Sequence, residues 1–156
     1  MADVESLNHT AMCVHDLVEA LNFYCNVLGA KRSSRVNFQI EDVLGGVAVF
    51  QSIILEDYLF ALCVAPDTMP MPEPGKLRGA HGFRHGFVVT RTRFDDVLES
   101  LRRNGVPFEG PVDHPAAGPF GQSIYFTDPS GNFLETLWRR DEEALNLGKR
   151  RYVSTE

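Results

Sequence analysis

The feature that most constrains this chain is an internal repeat: its two halves carry the same order of strand- and helix-forming segments. Residues 7–14 form an apolar-rich run with strand character. Asp16 is placed to cap a helix, and Leu17, Leu21, Tyr24 and Leu28 then fall at i, i+4, i+7 and i+11, one helical face. Gly29 closes that helix. Segments 31–39, 47–55 and 58–65 read as strands, separated by Gly45-Gly46 and Glu56-Asp57. The second half repeats the order. A strand is expected at 83–89 and a helix at 93–104, with Phe94, Val97, Leu98 and Leu101 on one face and Gly105 as its stop. Strands follow at 107–112, 122–127 and 133–138. Between the halves, Pro66, Pro70, Pro72, Pro74, Gly75 and Gly79 block both helix and central strand, so the segment reads as a linker. The expectation is one α+β domain of two βαβββ modules, at 5–65 and 82–139, with linker 66–81. A charged tail at 140–156 carries a helical turn or two near 143–147.

Composition narrows the function classes. At 156 residues, 44% apolar and 23% charged, the chain has ordinary globular usage and can bury a core without disulfides. Its three cysteines, Cys13, Cys25 and Cys63, form no Cys-x-x-Cys pair, which argues against a thiolate zinc site and for a reducing compartment. No apolar stretch approaches the roughly 18 residues of a membrane span, and no signal peptide is visible, so a cytoplasmic location is expected. The net charge of −6 argues against nucleic acid as partner, and Lys149-Arg150-Arg151 reads as solvated tail. Gly79, Gly82 and Gly86 lack the context of a phosphate loop.

Three polar residues stand out by position. His9 lies in the first strand, His85 at the matching place in the second module, and Glu135 in the last strand, after the turn Asp128-Pro129-Ser130-Gly131-Asn132. Strand alternation sets His9 with Leu7, Ala11 and Cys13, and Glu135 with Phe133 and Leu137. A carboxylate among apolar neighbours costs several kcal/mol, roughly, unless it has a partner. Two imidazoles and a carboxylate also form a standard ligand set for zinc, nickel, manganese or non-haem iron. A lone strand histidine is more often a hydrogen-bonded core residue. It is the placement in two repeats that favours a ligand.

The chain resembles the glyoxalase / bleomycin-resistance / extradiol-dioxygenase (vicinal oxygen chelate) superfamily over residues 5–139. The resemblance is carried by Asn8-His9-Thr10-Ala11, by the run from Ala20 to Gly29, by His85-Gly86-Phe87-Val88-Val89, and by the run from Tyr125 to Glu135. That last run matches the family's Asp-Pro-x-Gly-Asn-x-x-Glu signature. The resemblance implies two βαβββ modules forming a curled mixed sheet, an incomplete barrel, around a divalent metal (Fe2+, Mn2+, Ni2+ or Zn2+) held by His9, His85 and Glu135. It also implies a homodimer and a small-molecule substrate. Glyoxalase I-type members carry a fourth ligand at the position of Ala61, with Glu56 and Gln51 falling in the preceding turn and strand. The implied chemistry is therefore open: extradiol-dioxygenase-like ring opening, a glyoxalase-like isomerisation or addition, or, as in bleomycin-resistance relatives, metal-free binding of a small molecule.

Two further residues are candidates for acid–base work. Ser123, Tyr125 and Thr127 share a strand face, and an inward-facing Tyr125 hydroxyl can bond a substrate. His114 lies on a Gly- and Pro-rich loop, 113–121, that could lid a pocket. His81, His15, Arg91 and Arg93 read as surface residues.

Overall fold

The computed structural model describes residues 9–33, 40–46, 49–56, 58–65 and 84–141. The chain divides into two compact units, Met1–Pro70 and Met71–Glu156. The expected linker and tail, apart from Arg140 and Asp141, lie outside the described residues.

Unit 1 carries β1 (His9–Val14), α1 (Leu17–Asn22), β2 (Lys31–Arg32), α2 (Ile40–Leu44), β3 (Phe50–Leu55) and β4 (Tyr58–Val64). Its mixed sheet has the order β1-β4-β3-β2, with β1 parallel to β4 and the other pairs antiparallel. Asp16 caps α1 as expected, its carboxylate accepting from the Glu19 N–H at 2.8 Å. The helix does not run unbroken to Leu28. At Phe23–Val27 it widens into a π-helical turn, with Leu28 N–H bonding the Phe23 carbonyl at 3.3 Å. The extra residue in that turn lets Phe23 and Tyr24 both be buried, edge to face at 5.2 Å. The short helix α2 was not legible as one, and β2 is only two residues within the described part of 31–39.

Unit 2 carries β5 (Arg84–Val89), α3 (Arg91–Arg103), β6 (Phe108–Asp113), β7 (Phe120–Thr127) and β8 (Phe133–Arg139). Its sheet order is β5-β8-β7-β6, again with the first pair parallel and the others antiparallel. Each unit is thus a βαβββ module, with α2 added in the first. This is the α+β element order that the repeat predicts and the glyoxalase-like module that the resemblance implies. Among the described residues no helix is long and apolar enough to cross a membrane.

The register of unit 2 separates two faces. Ile124 pairs with Thr136 and Phe126 with Leu134, and all four are buried. The helix covers this face. Phe94, Leu98 and Leu101 of α3 are buried, and its Arg91 guanidinium lies 5.4 Å from the Trp138 ring. The opposite face carries Ser123, Tyr125 and Thr127 of β7 beside Leu137, Glu135 and Phe133 of β8. Two glycines let neighbouring groups approach β7 closely. At Gly110, with φ of +119°, a Cβ would come 2.7 Å from the Ser123 carbonyl; at Gly121 it would overlap the Trp138 indole.

The turn before β8 is built on Asp128, a buried carboxylate. One oxygen accepts the backbone N–H groups of Ser130 and Asn132, at 2.9 and 2.8 Å, and the other accepts the Asn132 side-chain amide at 2.8 Å. Gly131 takes the positive φ, +86°, that the turn requires. Asp128→Ala leaves these donors without their anionic acceptor. It is expected to lower unfolding stability by about 2–3 kcal/mol, read as a lower urea midpoint at unchanged slope.

Candidate functional site

The parallel pairing of β5 on β8 sets which side chains can meet. Arg84 is opposite Phe133, His85 opposite Leu134 and Gly86 opposite Glu135. Partners in register share a face. Arg84, Gly86 and Val88 therefore lie on the face of Glu135 and Tyr125, while His85 lies on the helix-covered face with Leu134 and Thr136. The His85 Nε2 is buried, and burial lowers the imidazole pKa below its ordinary value.

On the Glu135 face, polar side chains lie in series. Glu135 and Tyr125 are direct cross-strand partners. Tyr125 lies near enough to Ser123 and Glu135 for both to act on its phenol. The Ser123 hydroxyl lies 2.7 Å from His114 Nε2, the donor depending on the imidazole tautomer. Arg84 closes the other end. Its Nε stands 3.3 Å from Glu135 Oε2, and its guanidinium lies 4.9 Å from the Tyr125 ring centre. Burial raises the Tyr125 phenol above its ordinary pKa; the Glu135 charge adds to this, while Ser123 and Arg84 oppose it.

The loop bearing His114 is fastened rather than loose. Arg140 donates to the carbonyls of Pro115 and Gly118 at 3.0 Å each, to His114 at 3.1 Å, and also to Phe120. The His114 N–H bonds the Gly121 carbonyl at 2.9 Å, and the ring sits 5.8 Å from Phe120. The arginine thus holds the imidazole against Ser123 through the backbone.

The structure therefore brings Tyr125, His114 and Glu135 together, and adds Arg84, Ser123 and Arg140, which the sequence reading missed. It does not bring His85 and Glu135 to one face. His9 is the first residue of β1, in unit 1, and is exposed. Ala61 stands opposite Ala11 in β4. Within either unit, no three His, Cys, Asp or Glu side chains among the described residues gather as a metal-ligand group. The expected ligand set is His9, His85 and Glu135. In unit 2 it does not fit, because one lone-pair donor, His85, faces the core of the module, and the other, Glu135, is paired with a cation.

The glyoxalase/bleomycin resistance protein/dioxygenase superfamily matches this chain over residues 6–136, and the chain belongs to that superfamily. It is 26% identical over 146 residues to catechol-2,3-dioxygenase of Bacillus subtilis, covering 88% of this chain and 45% of that protein, so it spans about half the relative's length. The structure is similar to a glyoxalase/dioxygenase from Nostoc punctiforme, with TM-score 0.68, 20% identity, and 87% and 92% of the two chains covered. It is also similar to a mutant of the fosfomycin resistance protein FosX from Listeria monocytogenes, complexed with Mn(II) and 1S,2S-dihydroxypropylphosphonic acid. There the TM-score is 0.65, with 17% identity and 92% and 99% covered. At these identities the two structural likenesses establish the fold.

Two outcomes follow. Because the lowered pKa keeps folded His85 neutral while the unfolded chain takes up a proton, its contribution to stability is present above the unfolded value of about 6.5. That contribution is lost as pH falls below it; urea unfolding at about pH 5.5 and 7.5 should show this loss, and His85→Gln should flatten it. Ser123→Ala removes the side-chain hydrogen-bond partner of His114. It should cost about 1–2 kcal/mol in the same assay and change the His114 ring resonances in NMR.

Proposed function

We propose that this chain binds a small oxygen-bearing molecule on the Glu135 face of its second module and acts on it by acid–base chemistry. Tyr125 is the group that exchanges a proton with the ligand. Ser123 and His114 position the hydroxyl and connect it towards the fastened loop, and Glu135 with Arg84 sets the local charge. The single observation that carries this reading is the placement of Tyr125 on one sheet face between the His114–Ser123 hydrogen bond and the Arg84–Glu135 ion pair. A phenol near a base in a partly dry site is suited to general acid–base transfer. A catechol-2,3-dioxygenase matches this chain in sequence, and the fosfomycin resistance protein that shares its fold is complexed with a dihydroxypropylphosphonic acid, which supports an oxygenated ligand.

A second reading is a binding protein of bleomycin-resistance type that performs no chemistry. The Arg84–Glu135 ion pair favours it, since a paired carboxylate is less available as a base. The resemblance alone also proposes a divalent metal on His9, His85 and Glu135, supporting dioxygenase- or glyoxalase-like chemistry. A homodimer is likewise proposed from the resemblance.

The experiment is a screen of catechols, vicinal diols and methylglyoxal–thiol adducts, with and without Fe(II), Mn(II), Ni(II) or Zn(II), reading both turnover and thermal shift. For a substrate that turns over, Tyr125→Phe should lower kcat by about 10²-fold and His114→Gln by about tenfold, with smaller changes in KM. Thermal shifts without turnover, equal in wild type and Tyr125→Phe, would decide for the binding protein.

A further inference from the structure

We infer that Arg84 stands where a divalent metal would otherwise act on the second module: its guanidinium is the fixed cation that neutralises Glu135, and this face takes its ligand without a metal. The inference goes beyond the proposed function and rests on it only in treating this face as the ligand site.

The first strands of the two units differ in parity. In β1, Met12 and Val14 are buried on one face, and His9, Ala11 and Cys13 alternate with them, opposite Leu59, Ala61 and Cys63 of β4. In β5, His85, Phe87 and Val89 lie on the helix-covered face, and Arg84, Gly86 and Val88 alternate with them, opposite Phe133, Glu135 and Leu137 of β8. Face for face, the counterpart of His9 is Arg84. His85 is one residue out of phase and corresponds to Thr10.

The chemistry at that position agrees with its geometry. Glu135 is 15% exposed in its side chain, so its charge needs a partner. Arg84 supplies one at 3.3 Å and is held from a second side by the Tyr125 ring. A guanidinium carries no lone pair for a metal and does not lose its proton in a protein. A dication brought to Glu135 would meet this positive charge within a few ångströms, where like charges at low dielectric repel strongly. Gly86, directly beside Glu135, carries no side chain, and among the described residues a Cβ there would touch only Leu137, at 3.9 Å. The space next to the carboxylate is therefore open to the arginine. With 30% of its side chain exposed, Arg84 also presents a cationic surface that an oxygen-bearing ligand can meet.

The test is calorimetric titration of the chelator-treated full chain with Mn(II), Ni(II) and Zn(II). The expected result is no saturable binding dependent on Glu135 and no change of Tm in chelator. Arg84→His, which replaces the guanidinium by a lone-pair donor on the Glu135 face, should raise Ni(II) and Zn(II) affinity at least about tenfold, and adding Glu135→Gln should abolish the gain. One metal per chain bound by the wild type and lost in Glu135→Gln overturns the inference. A folded Arg84→His protein with no gain in affinity overturns it too. If Arg84→His does not fold by circular dichroism, the wild-type titration decides alone. Failure of the proposed function appears elsewhere, as oxygenated ligands that shift neither wild type nor Tyr125→Phe, and leaves the metal titration unchanged.

Discussion

The register of β5 on β8 is the constraint from which the candidate site follows. A parallel pair offers two faces and assigns each residue to one of them. In this chain the assignment places Arg84 with Glu135 and sends His85 to the helix side. Nothing else in the unit can reverse that choice, because Ile124, Phe126, Leu134 and Thr136 are all buried on the helix side. Exposing those apolar groups by a slip would cost far more than any polar contact recovers, at about 25 cal/mol per Å² of apolar surface.

Burial on one face thereby organises chemistry on the other. The helix α3 holds the sheet by its apolar stripe, and the far face carries polar side chains among Phe133, Leu137 and Val88. They lie side by side across the strands and along them: Arg84 is ion-paired with Glu135, Glu135 stands opposite Tyr125, and Ser123 bonds His114. Charge is balanced within the series as well, one guanidinium against one carboxylate. The last link depends on main-chain carbonyls gathered by Arg140, a residue far from Tyr125 in character but decisive for where the imidazole rests.

Much of the fold was legible in the sequence because the signals are local. Asp16 caps its helix through a carboxylate three residues from the donor, and the Asp128 turn closes within five residues. The repeat of strand and helix order carried the fold class. The shared face of Ser123 and Tyr125, and that of Phe133, Glu135 and Leu137, followed from alternation within each strand, while the register of β7 on β8 makes the two faces one. What escaped the sequence depends on partners distant in the chain. The phase of β5 relative to β8 brings together residues about fifty positions apart, so Arg84 and His85, adjacent and both polar, could not be told apart from composition. The π-helical turn at Phe23–Val27 is set by burying two aromatic rings at once, which a 3.6-residue period does not anticipate. Arg140 looked like the start of a charged tail because its acceptors are backbone atoms, and backbone acceptors leave no trace in side-chain identity.

The adjacency of Arg84 and His85 ties the charge of the site to the packing of the strand. Two chemically opposite groups, one a permanent cation and the other a lone-pair donor, occupy consecutive places in β5. Because alternation has a period of two, only a shift of phase would exchange them between faces, and it would carry Phe87 and Val89 off the helix side with them. The apolar residues of β5 thereby guard the identity of the group that meets Glu135, and a point change at Arg84 alters that group while leaving them in place.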